Sequence, residues 1–131
     1  MGTRLFLAGV GLVYLYLAVW CSLFPARTSE LVGFQLRPGT GQSEFLTVYG
    51  GLELALAIIF LRPLLQAHWA ACALDVCVIL HGCLVLFRSA SFLLFQDIEP
   101  MVYQLAAGEW LIFLCSGALA LLNRVRLSQR V

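Results

Sequence analysis

Charge is what this chain has least of. Asp, Glu, Lys and Arg make up 11% of its 131 residues, less than half of the roughly 25% found in an ordinary soluble domain. No stretch is polar and long enough for a separate soluble module, and there is no low-complexity linker. Lysine is absent, all eight basic residues being Arg, and the net charge of +1 gives no reason to expect nucleic acid or an acidic ligand. The five cysteines (Cys21, Cys72, Cys77, Cys83 and Cys115) fall inside apolar runs. They lack the paired spacing of a secreted disulfide framework and read as small core residues. A Gly-rich phosphate loop, a Gly-x-Ser-x-Gly turn, a paired-Cys motif and a repeated Glu-x-x-His are also missing, which removes the usual grounds for nucleotide, serine-hydrolase or metal chemistry.

What the chain does have is apolar length. About 20 apolar residues cross a hydrocarbon core about 30 Å thick, and four runs qualify: 5–24, 44–61, 68–87 and 101–122. The fold predicted is an all-α, integral membrane four-helix bundle in one domain. The first run is too long for the apolar part of a signal peptide and ends in VWCSLFPA without a small-x-small site, so a retained helix is expected. Arg4, Arg62, Arg124, Arg126 and Arg130 fall on the side shared by both termini, against Arg27, Arg37 and Arg88 opposite. The positive-inside rule then puts both termini in the cytoplasm, and the expected location is the cell inner membrane. Trp20 and Tyr103 are expected near the outer interface and Trp69 near the inner one. The connection 25–43 has turn residues at both ends, and its ELVGFQL segment is apolar enough to lie on the bilayer or cap the bundle; an ordinary outer loop is the plainer reading.

Four ionisable residues interrupt the runs: Glu53, Asp75, His81 and Glu109. Such groups cost a few kcal/mol on insertion, so they are expected to face the bundle interior and find partners. Counting along the helices places Glu53 and Glu109 roughly 12 to 13 Å from the outer ends and His81 about 9 Å, with Asp75 deeper. Tyr49 sits four residues before Glu53, on its face. Tyr14 belongs to the inward row Gly11, Tyr14, Ala18 and Cys21. The candidate polar ligand site is therefore Tyr14, Tyr49, Glu53, Asp75, His81 and Glu109. Asp75 is off the column of His81 and either widens the site or serves another contact. Small residues before each acid, Gly50 and Gly51, then Ala106, Ala107 and Gly108, are expected to allow close helix approach. YGGLE and LAAGE also hint at a weak parallel repeat of two helix pairs. A metal site would draw on Cys77 and His81, but the ligand set is too thin to expect one, and no cofactor is predicted.

The order of four short-looped helices, LFPA closing the first, GFQL in the connection, Glu44 and then TVYGGLELALAIIF resembles the DoxX-like group of small bacterial membrane proteins, in a branch of unknown function. Glu44, Tyr49, Gly50, Gly51 and Glu53 carry the likeness most specifically. The resemblance implies a four-helix membrane protein. The namesake is associated with a quinone-linked sulfur oxidoreductase, but the branch brings no catalytic residue, and this chain lacks a redox Cys pair. Four helices with buried acids and a His also share a design with sterol-isomerase-like bundles, an analogy that does not fix function.

Three functional readings follow. The first is a non-enzymatic membrane protein that binds a small lipophilic ligand or partner helix through the polar site. The second is a membrane isomerase or quinone-linked accessory subunit that moves protons between a carboxyl and His81. The third is a proton or small-solute conduit, which would need a homo-oligomer because four helices enclose little space. The plain alternative to all three is that the polar groups satisfy one another and fix the packing.

Overall fold

The computed structural model describes residues 1–128. Among them there are helices and no strands. Four helices are long and apolar enough to cross a membrane: Gly2–Leu23, Thr40–Leu65, Ala67–Leu94 and Pro100–Val125. This is an all-α architecture compatible with a membrane four-helix bundle. Large apolar side chains such as Leu12, Ile58, Ile79, Leu86, Leu111 and Leu121 are exposed, while Thr28, Ser29, His81 and Ser116 are buried. That inverted distribution suits a hydrocarbon solvent, in which exposed leucine costs nothing.

The chain divides into two compact units, Met1–Trp69 and Ala70–Val131. The first is a hairpin of α1 (Gly2–Leu23) and α3 (Thr40–Leu65), joined through the short α2 (Pro25–Leu31). Leu7, Val10, Gly11, Tyr14, Ala18 and Cys21 are buried on α1 at helical spacing, which makes one inward stripe. Two of its contacts with α3 fall at glycines. A Cβ on Gly11 would stand 2.7 Å from Leu61 Cγ, and one on Gly50 would stand 2.6 Å from Ser22 Oγ. Backbones brought this near are how helices pack in lipid. In the connection, Gly33 and Gly39 adopt φ of +80° and +75°, conformations that side chains resist. The Gly39 N–H donates to Gln42 Oε1 at 3.2 Å as α3 begins.

α3 is not one regular helix. It is α-helical over Thr40–Phe45, π-helical over Leu46–Leu52 and α-helical again over Glu53–Leu65. It also runs past the expected stop near Leu61, carrying Pro63 within its last turn. A proline there removes one backbone donor and ordinarily ends a helix. The last carbonyls are served instead by a side chain of α1: Arg4 donates through Nε to Pro63 O at 2.8 Å and through Nη2 to Leu64 O at 2.9 Å.

The second unit pairs α4 (Ala70–Leu94), entered through a 3-10 turn at Ala67–Trp69, with α5 (Pro100–Ser128). Ala73, Cys77, His81 and Val85 recur every four residues and are buried. α4 continues seven residues beyond the expected end at 87, so the loop expected over 88–100 is shorter. The turn includes Asp97 at φ +57°, a left-handed conformation that Asp tolerates better than most residues. Arg88, expected in that loop, is helical.

Candidate functional site

The six residues singled out from sequence divide between the units: Tyr14, Tyr49 and Glu53 on the first hairpin, Asp75, His81 and Glu109 on the second. On the first, Glu53 follows directly on the π-helical segment. π-helical turns are rare and recur at functional sites. Its Oε2 is buried and has no hydrogen-bond partner among the described residues. The buried Cys21 of α1 lies within electrostatic reach of this carboxyl and hydrogen-bonding reach of the Thr28 side chain. Thr28 itself donates to Phe24 O at 2.9 Å, a local bond that spends its proton within α2.

The two tyrosines are held by rings. Tyr14 is buried against Phe60 at 5.6 Å between centroids. Tyr49, in the π-helical segment, stacks on Phe45 at 4.5 Å and takes the edge of Phe34 at 6.0 Å. Phe34 belongs to the GFQL part of the connection, so that segment caps this hairpin by packing on Tyr49. The two glycines of YGG behave differently. Gly50 admits Ser22, whereas nothing lies within 4 Å of where a Gly51 Cβ would stand. Beside them an apolar groove of about 420 Å³ runs between α1 and α3, lined by Ala18, Ser22, Leu46, Gly50, Gly51 and Leu54. That volume is within the range of small-molecule sites.

On the second hairpin, His81 is buried and its Nδ1 lies 2.9 Å from Cys77 O and 3.6 Å from Cys77 Sγ. A carbonyl only accepts, so Nδ1 carries the proton and donates, which makes Nε2 the basic atom of the ring. Cys77 is fully buried, with the buried Ser116 side chain in hydrogen-bonding reach. The Cys77 and His81 pair considered for a metal is thus accounted for by a turn-to-turn hydrogen bond, and no group of three His, Cys, Asp or Glu capable of holding a metal occurs among the described residues.

Glu109 is half-buried and engaged in a two-point ion pair. Arg88 Nη2 stands 2.7 Å from Oε1 and Arg88 Nε 3.1 Å from Oε2. The forked geometry matches the planar guanidinium to the carboxylate. Arg88, expected in the connection 88–100, is instead helical, and Glu109, expected to find its partners among the Tyr and His of the interior, has a cation of its own. The apolar SASFLLF after Arg88, with no proline before Pro100, was the available sign that the helix continues. Of the small residues before Glu109, Ala106 is buried, but nothing lies within 4 Å of a Cβ on Gly108. Asp75 is exposed, in line with its being off the His81 column, and the structure brings it to no other member of the set.

No family model matches the chain, and neither a curated protein nor a solved structure matches it.

Proposed function

We propose that this is a multi-pass membrane protein that binds a small lipophilic molecule carrying a hydrogen-bond donor, with Glu53 as the acceptor. The observation that carries this reading is the buried, partnerless Oε2 of Glu53. Leaving such an atom unsatisfied costs about 1 to 3 kcal/mol, more for a charged group. A donor on a ligand would offset that cost. The π-helical turn before Glu53 supports the same reading, and an apolar groove lined by its chain neighbours Gly51 and Leu54, though not by Glu53 itself, offers a concave surface for the hydrocarbon part.

The test is mass spectrometry of what co-purifies with the chain in mild detergent. A lipophile with an O–H or N–H is expected with the wild-type protein and is expected to be lost in Glu53→Leu, with helix content unchanged by circular dichroism. If no such molecule is retained and Glu53→Leu is simply more stable, Glu53 is a structural residue and the reading fails.

The membrane proposed is the cell inner membrane, with both termini cytoplasmic. The Arg88–Glu109 ion pair strengthens the charge argument, since Arg88 no longer counts as a loop charge, leaving Arg27 and Arg37 opposite Arg4, Arg62, Arg124 and Arg126; Arg130 lies outside the described residues. Labelling of cysteines placed singly at position 2 and in the 25–43 connection would reverse this assignment if position 2 reacted from outside. The stretch 44–53 supports membership of the DoxX-like group. An experimental structure of a member with a regular α-helix at its YGG segment would remove that support.

A further inference from the structure

The end of the first hairpin at which α1 starts and α3 stops gathers charge of one sign. The carbonyls of the last turn of a helix carry its partial negative charge and have no donor within the helix. Here Pro63 O and Leu64 O are covered by Arg4. Beside them Arg62 is exposed, with its guanidinium carbon 3.9 Å from the centre of the Trp69 ring. Stacking uses the flat face of the guanidinium and leaves its N–H edge to meet an acceptor.

Arg62 makes no ion pair among the described residues, and no Asp or Glu occurs before Glu30 or between Glu53 and Asp75. Tryptophan and arginine at the end of a spanning helix sit at headgroup depth. Ile58, one turn before Arg62 on the same face of α3, and Leu5, next after Arg4 in α1, are exposed, giving acyl chains an apolar surface on the bilayer side of the charges.

We infer that Arg62, oriented by Trp69 and flanked by Arg4, binds the phosphate of an anionic phospholipid. The guanidinium edge recognises phosphate oxygens through charge-assisted bonds. A zwitterionic lipid offers the same phosphate but adds an ammonium group, which two arginines without a neighbouring acid repel. Phosphatidylglycerol or a lipid of like charge therefore fits better than phosphatidylcholine.

The test reconstitutes the full chain in bilayers of equal phosphatidylglycerol and phosphatidylcholine with matched acyl chains. Lipids retained after mild detergent extraction are counted by native mass spectrometry. A preference for phosphatidylglycerol of about fivefold is expected from Arg62. It falls in Arg62→Gln and in Trp69→Leu, and it persists in the control Arg37→Gln, with helix content checked by circular dichroism. Should Arg62→Gln lose helix, Trp69→Leu decides alone. Equal retention of the two lipids by wild type, or an unchanged preference in the folded variants, overturns the inference. So does displacement of retained phosphatidylglycerol by millimolar glycerol phosphate, which would make this a site for the free ion.

Discussion

The two hairpins treat charge in opposite ways. In the second, Arg88 and Glu109 meet at 2.7 Å across α4 and α5 and neutralise each other. In the first, Glu53 has a buried oxygen without a donor, and Arg62, nine residues on and roughly 13 Å along the helix by its rise, has no acid. The second hairpin closes one acid and one cation on each other. The first keeps an acid with a buried, unpartnered oxygen and an exposed arginine that makes no ion pair among the described residues. Because burying a charge costs several kcal/mol unless it is matched, the difference separates a structural device from two candidate binding devices.

Breaking the ion pair should have the largest effect. Arg88→Met or Glu109→Leu alone leaves the other charge stranded and is expected to destabilise the protein by about 3 kcal/mol, read as a lowered midpoint of unfolding in detergent. The double variant should recover most of that loss, since two well-packed apolar groups can replace a buried pair. A double variant as unstable as either single one would mean that the pair does not act as a closed unit, and the contrast between the hairpins would weaken.

The glycine pair of YGG sharpens the comparison within the first hairpin. Gly50→Ala places a methyl group 2.6 Å from Ser22 Oγ and is expected to cost about 1 to 3 kcal/mol through forced repacking. Gly51→Ala meets nothing and should lie within about 1 kcal/mol of wild type, on the stabilising side. Equal losses at both positions would show that the π-helical turn, and not the contact with Ser22, is what needs glycine. A small effect is also expected for Arg4→Gln, which gives up two bonds to the end of α3. A loss of about 1 kcal/mol is expected, with faster amide exchange confined to the last turn of α3.

Much of the site was legible as residues and little of it as pairings. Tyr14 and His81 stood out because each is a polar group in an apolar run at helical spacing with its neighbours, and both are buried. Asp75 was already off that spacing and is exposed. Arg88 was missed because helix ends are weakly encoded, and a charge close to an expected span end reads as a loop residue. The run ended at 61 was too short because nothing in RPLL shows that Arg4, some sixty residues earlier in the chain, covers the carbonyls of Pro63 and Leu64 at the end of the helix.

The sequence by itself determined that the chain is all-α with four spanning helices, since that follows from how many consecutive residues can leave water without carrying charge. It also determined which polar groups must be accounted for inside. Only the tertiary structure decided which of them are matched. An ion pair, a side chain over carbonyls and the close approach of Ser22 to Gly50 depend on the register of one helix against another, and residues far apart in the chain meet only when that register is set. The π-helical turn is of the same kind: nothing in LTVYGGL specifies it, and it exists where α3 lies against α1 closely enough for Gly50 to admit Ser22.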